Sequence, residues 1–295
     1  MNFNDFRKHR SKVPEGQIFC RTAGSGPPLL LLHGYPQTGL MWHKIAPELT
    51  RDFTVVVPDL RGYGASMAPP SEPDHSSYSK RAMAGDVVRL MDELGFEKFF
   101  IAGHDRGGRV AHRLARDHRD RVSALAVLDI CPTLDMYEAA DMDFALAYFH
   151  WFFLTQSPDI PERMIASDPE AWMDMCLQNW SGGHDFGAAK DEYLKFFGDP
   201  ERIRASCEDY RASATIDLEH DRADRDEPID IPLHILWGER GVVGRMFEPL
   251  KVWQPYTTAA VTGRAMPCGH FIPEEDSEGT VEELKGFFWG VSHLV

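Results

Sequence analysis

Five short, mainly apolar runs constrain this chain more than any other feature: Leu29–Leu32, Phe53–Val57, Phe99–Ala102, Ala124–Leu128 and Leu233–Trp237. Each ends in turn or polar residues. Apolar residues at successive rather than alternate positions suit strands covered on both faces. Helical patterns lie between several of them. Met83, Val87, Leu90, Met91 and Leu94 recur at helical spacing, with Gly95 as the stop. Val110, Leu114 and neighbouring alanines mark a second helix, from about Arg106 to His118. Strand and helix in alternation imply an α/β fold with a mostly parallel central sheet and helices on both faces.

The pattern changes near Pro132. From there to about Pro228 the strand runs vanish, and Trp, Phe, Tyr and Met recur with helical periodicity. Strand character returns at Ile231-Pro232-Leu233. The expected organisation is a core made of residues 1–131 and 229–295, carrying a helical cap at 132–228. Ligands of open α/β sheets sit at the C-terminal ends of the strands, where such a cap would close.

Within that frame, the stretch Phe99 to Arg109 reads as a strand, then Gly103-His104-Asp105-Arg106-Gly107, then a helix. This is the form of a nucleophile elbow, in which a sharp strand-to-helix turn presents a reactive side chain. Flanking glycines are expected because the turn leaves no room for β-carbons. Asp105 alone would read as a helix N-cap, but its setting favours a nucleophile. Neither Gly-x-Ser-x-Gly nor Gly-x-Cys-x-Gly occurs, which disfavours a serine-type esterase. Carboxylate attack on a carbonyl would give an unstable anhydride. On an sp3 carbon it gives an ester that water can cleave. That chemistry points to carbon–halogen bonds or epoxides.

Leu29–Leu32 runs into His33-Gly34-Tyr35-Pro36, where this type of fold supplies a second oxyanion-hole amide. The backbone N–H groups of Tyr35 and Arg106 are the candidates. His270, in Cys268-Gly269-His270-Phe271, is the best-placed general base, since chain order runs nucleophile, acid, histidine. Two acids compete to orient it: Asp129 after Ala124–Leu128, and Glu239 after Leu233–Trp237. Spacing leaves that choice open.

The strings His104-Asp105-Arg106-Gly107-Gly108-Arg109, Val127-Leu128-Asp129-Ile130, Tyr148-Phe149-His150-Trp151 and Cys207-Glu208-Asp209-Tyr210-Arg211 together resemble the fluoroacetate (haloacetate) dehalogenases of the α/β-hydrolase superfamily. His33 to Thr38 and Gly269-His270-Phe271 agree, and the resemblance extends from about Phe19 to Phe288. It implies hydrolysis of a haloacetate to glycolate and halide through an Asp105 ester, with His270 as base and Asp129 as its acid. It also implies that Arg106 and Arg109 bind the substrate carboxylate, and that His150, Trp151 and Tyr210 bind the halide. Trp180 is a weaker candidate for the halide pocket. Tyr35 stands where relatives often carry Phe. The implied partners are a small 2-halo acid and water, with a possible homodimer. The alternative is an epoxide hydrolase on the same scaffold, which would have no use for Arg106 and Arg109. A non-catalytic carboxylate-binding module is a third reading, disfavoured by the full set of nucleophile, base and acid.

Bulk properties narrow the field further. The 295 residues are 43% hydrophobic, enough for one large domain or a core with an insertion. A formal net charge of −15 gives no general attraction for nucleic acid or anionic membranes. It also means that local arginines must capture any anionic substrate. Cys20, Cys131, Cys176, Cys207 and Cys268 form no CxxC pair, so neither a disulfide framework nor a zinc site is suggested. With no HExxH or EF-hand loop, the expectation is no metal and no cofactor. Gly24-Ser25-Gly26 reads as a turn, and Glu219–Glu227 as a solvated linker of mixed charge. The N-terminus lacks a signal-peptide pattern, and the most apolar run, Phe144–Leu154, is too short to span a bilayer. A cytoplasmic protein is the expectation.

Overall fold

A computed structural model describes residues 2–292. Its frame is an eight-stranded sheet in the order β1-β2-β4-β3-β5-β6-β7-β8. The strands are β1 Arg7–Val13, β2 Gly16–Ala23, β3 Pro28–Leu32, β4 Thr54–Pro58, β5 Phe99–His104, β6 Val122–Leu128, β7 Leu233–Gly238 and β8 Val261–Met266. From β4 to β8 every pairing is parallel, while β1 with β2 and β2 with β4 are antiparallel. The five apolar runs became the five central strands. β5 and β6 are buried along their whole length, as strands covered on both faces must be.

Three strands had no apolar run to announce them. β1 and β8 lie at the two edges, and both alternate between exposed and covered positions. One face meets water there, so polar residues are tolerated and the continuous apolar signature is lost. β2, the partner of β1, is likewise only partly buried.

Helices Lys80–Glu93 and Arg106–Asp117 follow the expected spacing. Ser79 caps the first, accepting from the Ala82 N–H, and Gly95 leaves it at φ 81°. Among the described residues, the chain between β6 and β7 forms helices and no strands, from Thr133–Glu138 to Ile216–Ala223. None of the described helices is long and apolar enough to cross a membrane.

The Glu219–Glu227 run is mostly exposed, as its composition suggests, but it is not all linker. Its first half continues the helix Ile216–Ala223, and Asp224 accepts from Arg113 Nη1 and Nη2, both at 2.6 Å. The charges are used to tie this segment to the helix that follows β5.

Candidate active site

Asp105 sits between the end of β5 and the helix Arg106–Asp117, at φ 47° and ψ −117°. Such a backbone is costly for a residue with a β-carbon and persists only where its surroundings enforce it. Glycine is required on both sides. A β-carbon at Gly103 would come 2.5 Å from the Gly107 carbonyl oxygen, and one at Gly107 would collide with the carbonyls of Leu32 and His33. Asp105 makes no side-chain cap to the helix. Its Oδ1 accepts instead from the Tyr35 N–H at 2.9 Å. The second expected donor, the Arg106 N–H, makes no hydrogen bond to this carboxyl in the structure.

Burial alone would raise the pKa of Asp105. The charges of His270 and Arg106 outweigh burial and hold it at about 2. The group is therefore an anion at neutral pH while only 7% exposed.

His270 lies in the loop after β8. Its Nδ1 faces Asp129 Oδ2 at 2.6 Å. The other Asp129 oxygen accepts from the Gly238 N–H at 2.9 Å, which fixes the carboxylate. The His270 carbonyl faces His104 Nε2 at 2.8 Å, and its N–H donates to the Trp180 carbonyl at 2.8 Å. Burial would lower the pKa of His270, but the hydrogen bond and charge of Asp129, with the charge of Asp105, raise it. Of the two competing acids, Asp129 meets the imidazole. Glu239 is exposed, its backbone N–H joined to Met266.

The two arginines differ sharply. Arg106 is fully buried and already paired: Nε and Nη2 donate to Asp209 at 3.1 and 2.6 Å, and Nη2 also reaches Ser213. Asp209 also receives Tyr63 Oη–H at 2.7 Å and Lys80 Nζ. Burial would raise its pKa, but Arg106 and Lys80 hold it well below the usual carboxylate range. The Arg106 guanidinium lies over the Tyr210 ring at 4.2 Å, leaving Nη1 buried without a partner.

Arg109 meets no carboxylate among the described residues. Its Nη1 donates to the Cys131 carbonyl at 3.1 Å and to Thr133 Oγ1 at 2.9 Å. It stacks on Trp151 at 4.7 Å, and its Nε has no partner. Arg106 is held rigidly with one nitrogen spare, whereas Arg109 brings an uncompensated charge.

His150 Nδ1 and Trp151 Nε1 are also buried without partners. Burial pushes the His150 pKa down to about 3, so the ring is neutral. Tyr210 packs edge-on against both Tyr35 (5.3 Å) and His150 (5.8 Å). Trp180 lies 4.4 Å from His150 and 5.8 Å from His270, ring centre to ring centre. The Tyr35 hydroxyl, which a Phe would lack, accepts from Trp172 Nε1 at 2.5 Å.

Part of this set lines a cavity of about 70 Å³. Asp105, Asp129, His150, His270 and Trp180 line it. Arg106, Arg109, Trp151, Tyr210 and Tyr35 lie outside its lining, although the charges of both arginines act on Asp105 and on His150. Pockets for drug-sized ligands run to roughly 300–1,000 Å³, so this one suits a molecule of a few heavy atoms. A buried carboxylate, an imidazole oriented by a second carboxylate and a backbone amide on the first are the parts of two-step covalent hydrolysis.

The sequence reading assigned no role to Asp209, although it stands in the Cys207–Arg211 string. Asp209 and Ser213 are four apart on the helix Pro200–Ala214, so their shared face was readable. Lys80 gave no comparable signal.

Comparison with known proteins agrees with this geometry. Residues 27–275 match the alpha/beta hydrolase fold family. A fluoroacetate dehalogenase from Burkholderia sp is 44% identical, over 97% of this chain and 94% of its own. A soluble epoxide hydrolase from Corynebacterium sp. (strain C12) is 33% identical, over 95% and 96%. The crystal structure of a putative alpha/beta hydrolase from Nostoc sp PCC 7120 superposes with a TM-score of 0.94 at 51% identity, covering 97% of this chain and 99% of that one. The chain is thus a hydrolase of the alpha/beta hydrolase fold family and belongs, within it, to the fluoroacetate dehalogenase family.

Proposed function

We propose that this enzyme hydrolyses a haloacetate to glycolate and halide through an ester on Asp105. The observation that carries the reading is the set of buried, unpartnered donors around that carboxylate: Arg106 Nη1, Arg109 Nε, His150 Nδ1 and Trp151 Nε1. Unsatisfied donors in a buried site cost stability, roughly 1–3 kcal/mol each, unless a ligand completes them. A substrate carboxylate needs the two guanidiniums, whereas a neutral epoxide has no carboxylate for them to bind. The helical segment 132–228 contributes His150, Trp151 and Tyr210 and acts as a cap that keeps the site dry.

The first step begins with the substrate carboxylate held by Arg109 and by the spare nitrogen of Arg106. One Asp105 oxygen attacks the carbon bearing the halogen. The carbon–halogen bond breaks, its electron pair leaves with the halide, and an ester remains. Fluoride is a poor leaving group, so neutral His150, the Trp151 indole and the Tyr210 hydroxyl must donate to it as charge develops.

In the second step His270 takes a proton from water, and the hydroxide attacks the ester carbonyl of Asp105. The Tyr35 N–H then stabilises the oxyanion. On collapse the bond to the glycolate oxygen breaks, His270 returns its proton to that oxygen, and the Asp105 carboxyl gives its remaining proton to solvent, which restores the carboxylate. Ester formation also prepares its own hydrolysis. The negative charge of Asp105 helps to raise the pKa of His270. Once alkylated, Asp105 is neutral, which removes one of the charges that raise the His270 pKa.

The epoxide-hydrolase reading draws support from the 33% identical relative and from Tyr148, which lines the cavity. Incubation with fluoroacetate, chloroacetate and styrene oxide separates the two. The expected result is free halide and glycolate in equal amounts, with no diol. Diol without halide would overturn the proposal.

A further inference from the structure

The mouth of the cavity presents a feature that the chemistry above does not use. Arg240 and Arg245 line the same cavity as Asp105 and His270. Asp105 and His270 are 7% and 8% exposed, whereas both arginines are exposed. The arginines therefore mark its solvent end. Arg240 follows β7, and Arg245 lies in the last turn of the short helix Val242–Met246. The Arg240 guanidinium rests against Gly182, in the loop after the helix Pro169–Trp180, so closely that a β-carbon there would displace it. It thus spans the gap between the core and the helical segment. Neither arginine forms an ion pair among the described residues. Most other arginines of this chain are engaged with carboxylates or carbonyls, including buried Arg61, Arg106 and Arg211.

Two uncompensated cations at the entrance matter because the molecule as a whole is strongly acidic, with a formal net charge of −15. A small anion approaching it meets a repulsive field at long range. Within a Debye length, about 8 Å at physiological ionic strength, nearby charges dominate the field. The pair opposes the overall field there and favours entry of an anion into the cavity. Asn179 and Tyr148 line the same passage and offer neutral hydrogen-bonding groups along it.

We propose that Arg240 and Arg245 form an anion-collecting collar, a binding site for short monocarboxylates on their way to Asp105. The proposal deepens the haloacetate reading and rests on it for the identity of the substrate. The collar touches no reacting atom. It acts on capture, so its signature is in kcat/KM rather than in kcat.

The test compares the wild type with Arg240→Gln/Arg245→Gln and Arg240→Glu/Arg245→Glu, using chloroacetate for turnover and acetate for binding by ligand-detected NMR. Charge reversal should lower kcat/KM at least about tenfold, the lower end of electrostatic steering effects. At saturating chloroacetate kcat should change by less than about twofold, since the reacting groups are untouched. Acetate binding should weaken in the order wild type, double Gln, double Glu. Added salt should lower kcat/KM for the wild type and leave the double Glu variant nearly flat. Unchanged acetate binding and kcat/KM in the double Glu variant would overturn the collar while leaving the dehalogenase reading intact. A parallel loss of kcat would also overturn it, by placing the arginines in the chemical step. No halide release by any form, with acetate binding still weakened by charge reversal, would sink the dehalogenase reading and keep the collar.

Discussion

At Asp105 two electrostatic demands meet. The carboxylate must be ionised to attack, and its charge must not bind the proton of the base too tightly. Its own pKa is held at about 2, and His270 is raised in part by it. Replacing Asp105 with Asn should therefore abolish turnover and also move the His270 titration to lower pH, read from imidazole NMR signals. An unchanged midpoint would remove the coupling on which the second step depends. Asp209 gives a second prediction at this scale. Asp209→Asn frees the Arg106 guanidinium from its anchor, and misplacement of a binding group by an ångström can cost on the order of 10²-fold in rate. The expected result is a rise in KM and a fall in kcat/KM of roughly that size. Removing one member of a buried ion pair should also cost about 3–5 kcal/mol by thermal unfolding. Unchanged kinetics would show that Arg106 needs no anchor. The contrast between Asp105 and Asp209 shows what is legible in sequence. Asp105 stands in a local motif whose spacing carries its role. Asp209 acts through Arg106, 103 positions away in the chain, and no local pattern records that partnership.

Among the elements, the short helix Ile272–Glu275, just after the loop that carries His270, joins several parts of the site. Glu274, four residues after His270, accepts from Gln37 Nε2 at 2.5 Å and from Tyr193 Oη–H at 2.8 Å. Gln37 belongs to the turn after β3 that carries Tyr35, and Tyr193 to the helix Ala188–Phe197. Lys44 Nζ donates to the Glu274 backbone carbonyl at 2.8 Å, and His43 Nδ1 stands 3.9 Å from its carboxyl. One carboxyl thus ties the base loop, the amide loop and the helical segment together. Burial pushes its pKa up to about 7, against the hydrogen bonds of Tyr193 and Gln37. A carboxyl whose folded pKa is raised contributes stability below its unfolded pKa and loses it as pH rises through the folded value. Thermal stability should accordingly carry a component that declines between about pH 5 and pH 8, on the order of 2 kcal/mol. Glu274→Gln should flatten it, as differential scanning calorimetry would show. A steeper decline in the variant would contradict the assignment. The element scale was only partly readable beforehand. Central strands show themselves by continuous apolar residues, whereas β1 and β8 are wetted on one face and blend with loops. Composition showed the exposure of the 219–227 run but not that Arg113 would meet Asp224 across the fold.

For the whole molecule, the fold sets a carboxylate at the C-terminal edge of a parallel sheet and lays helices over it, inside a chain whose net charge opposes its proposed substrate. The strongest test is to stop the reaction halfway. In His270→Gln the first step needs no base and should proceed, while hydrolysis of the ester should stall. Brief incubation of this variant with chloroacetate, followed by intact-protein and peptide mass spectrometry, should find one carboxymethyl group per chain. The account predicts that group on the peptide carrying Asp105, with one equivalent of chloride released. Glycolate and chloride forming without any adduct would contradict it, because water would then be attacking the substrate directly.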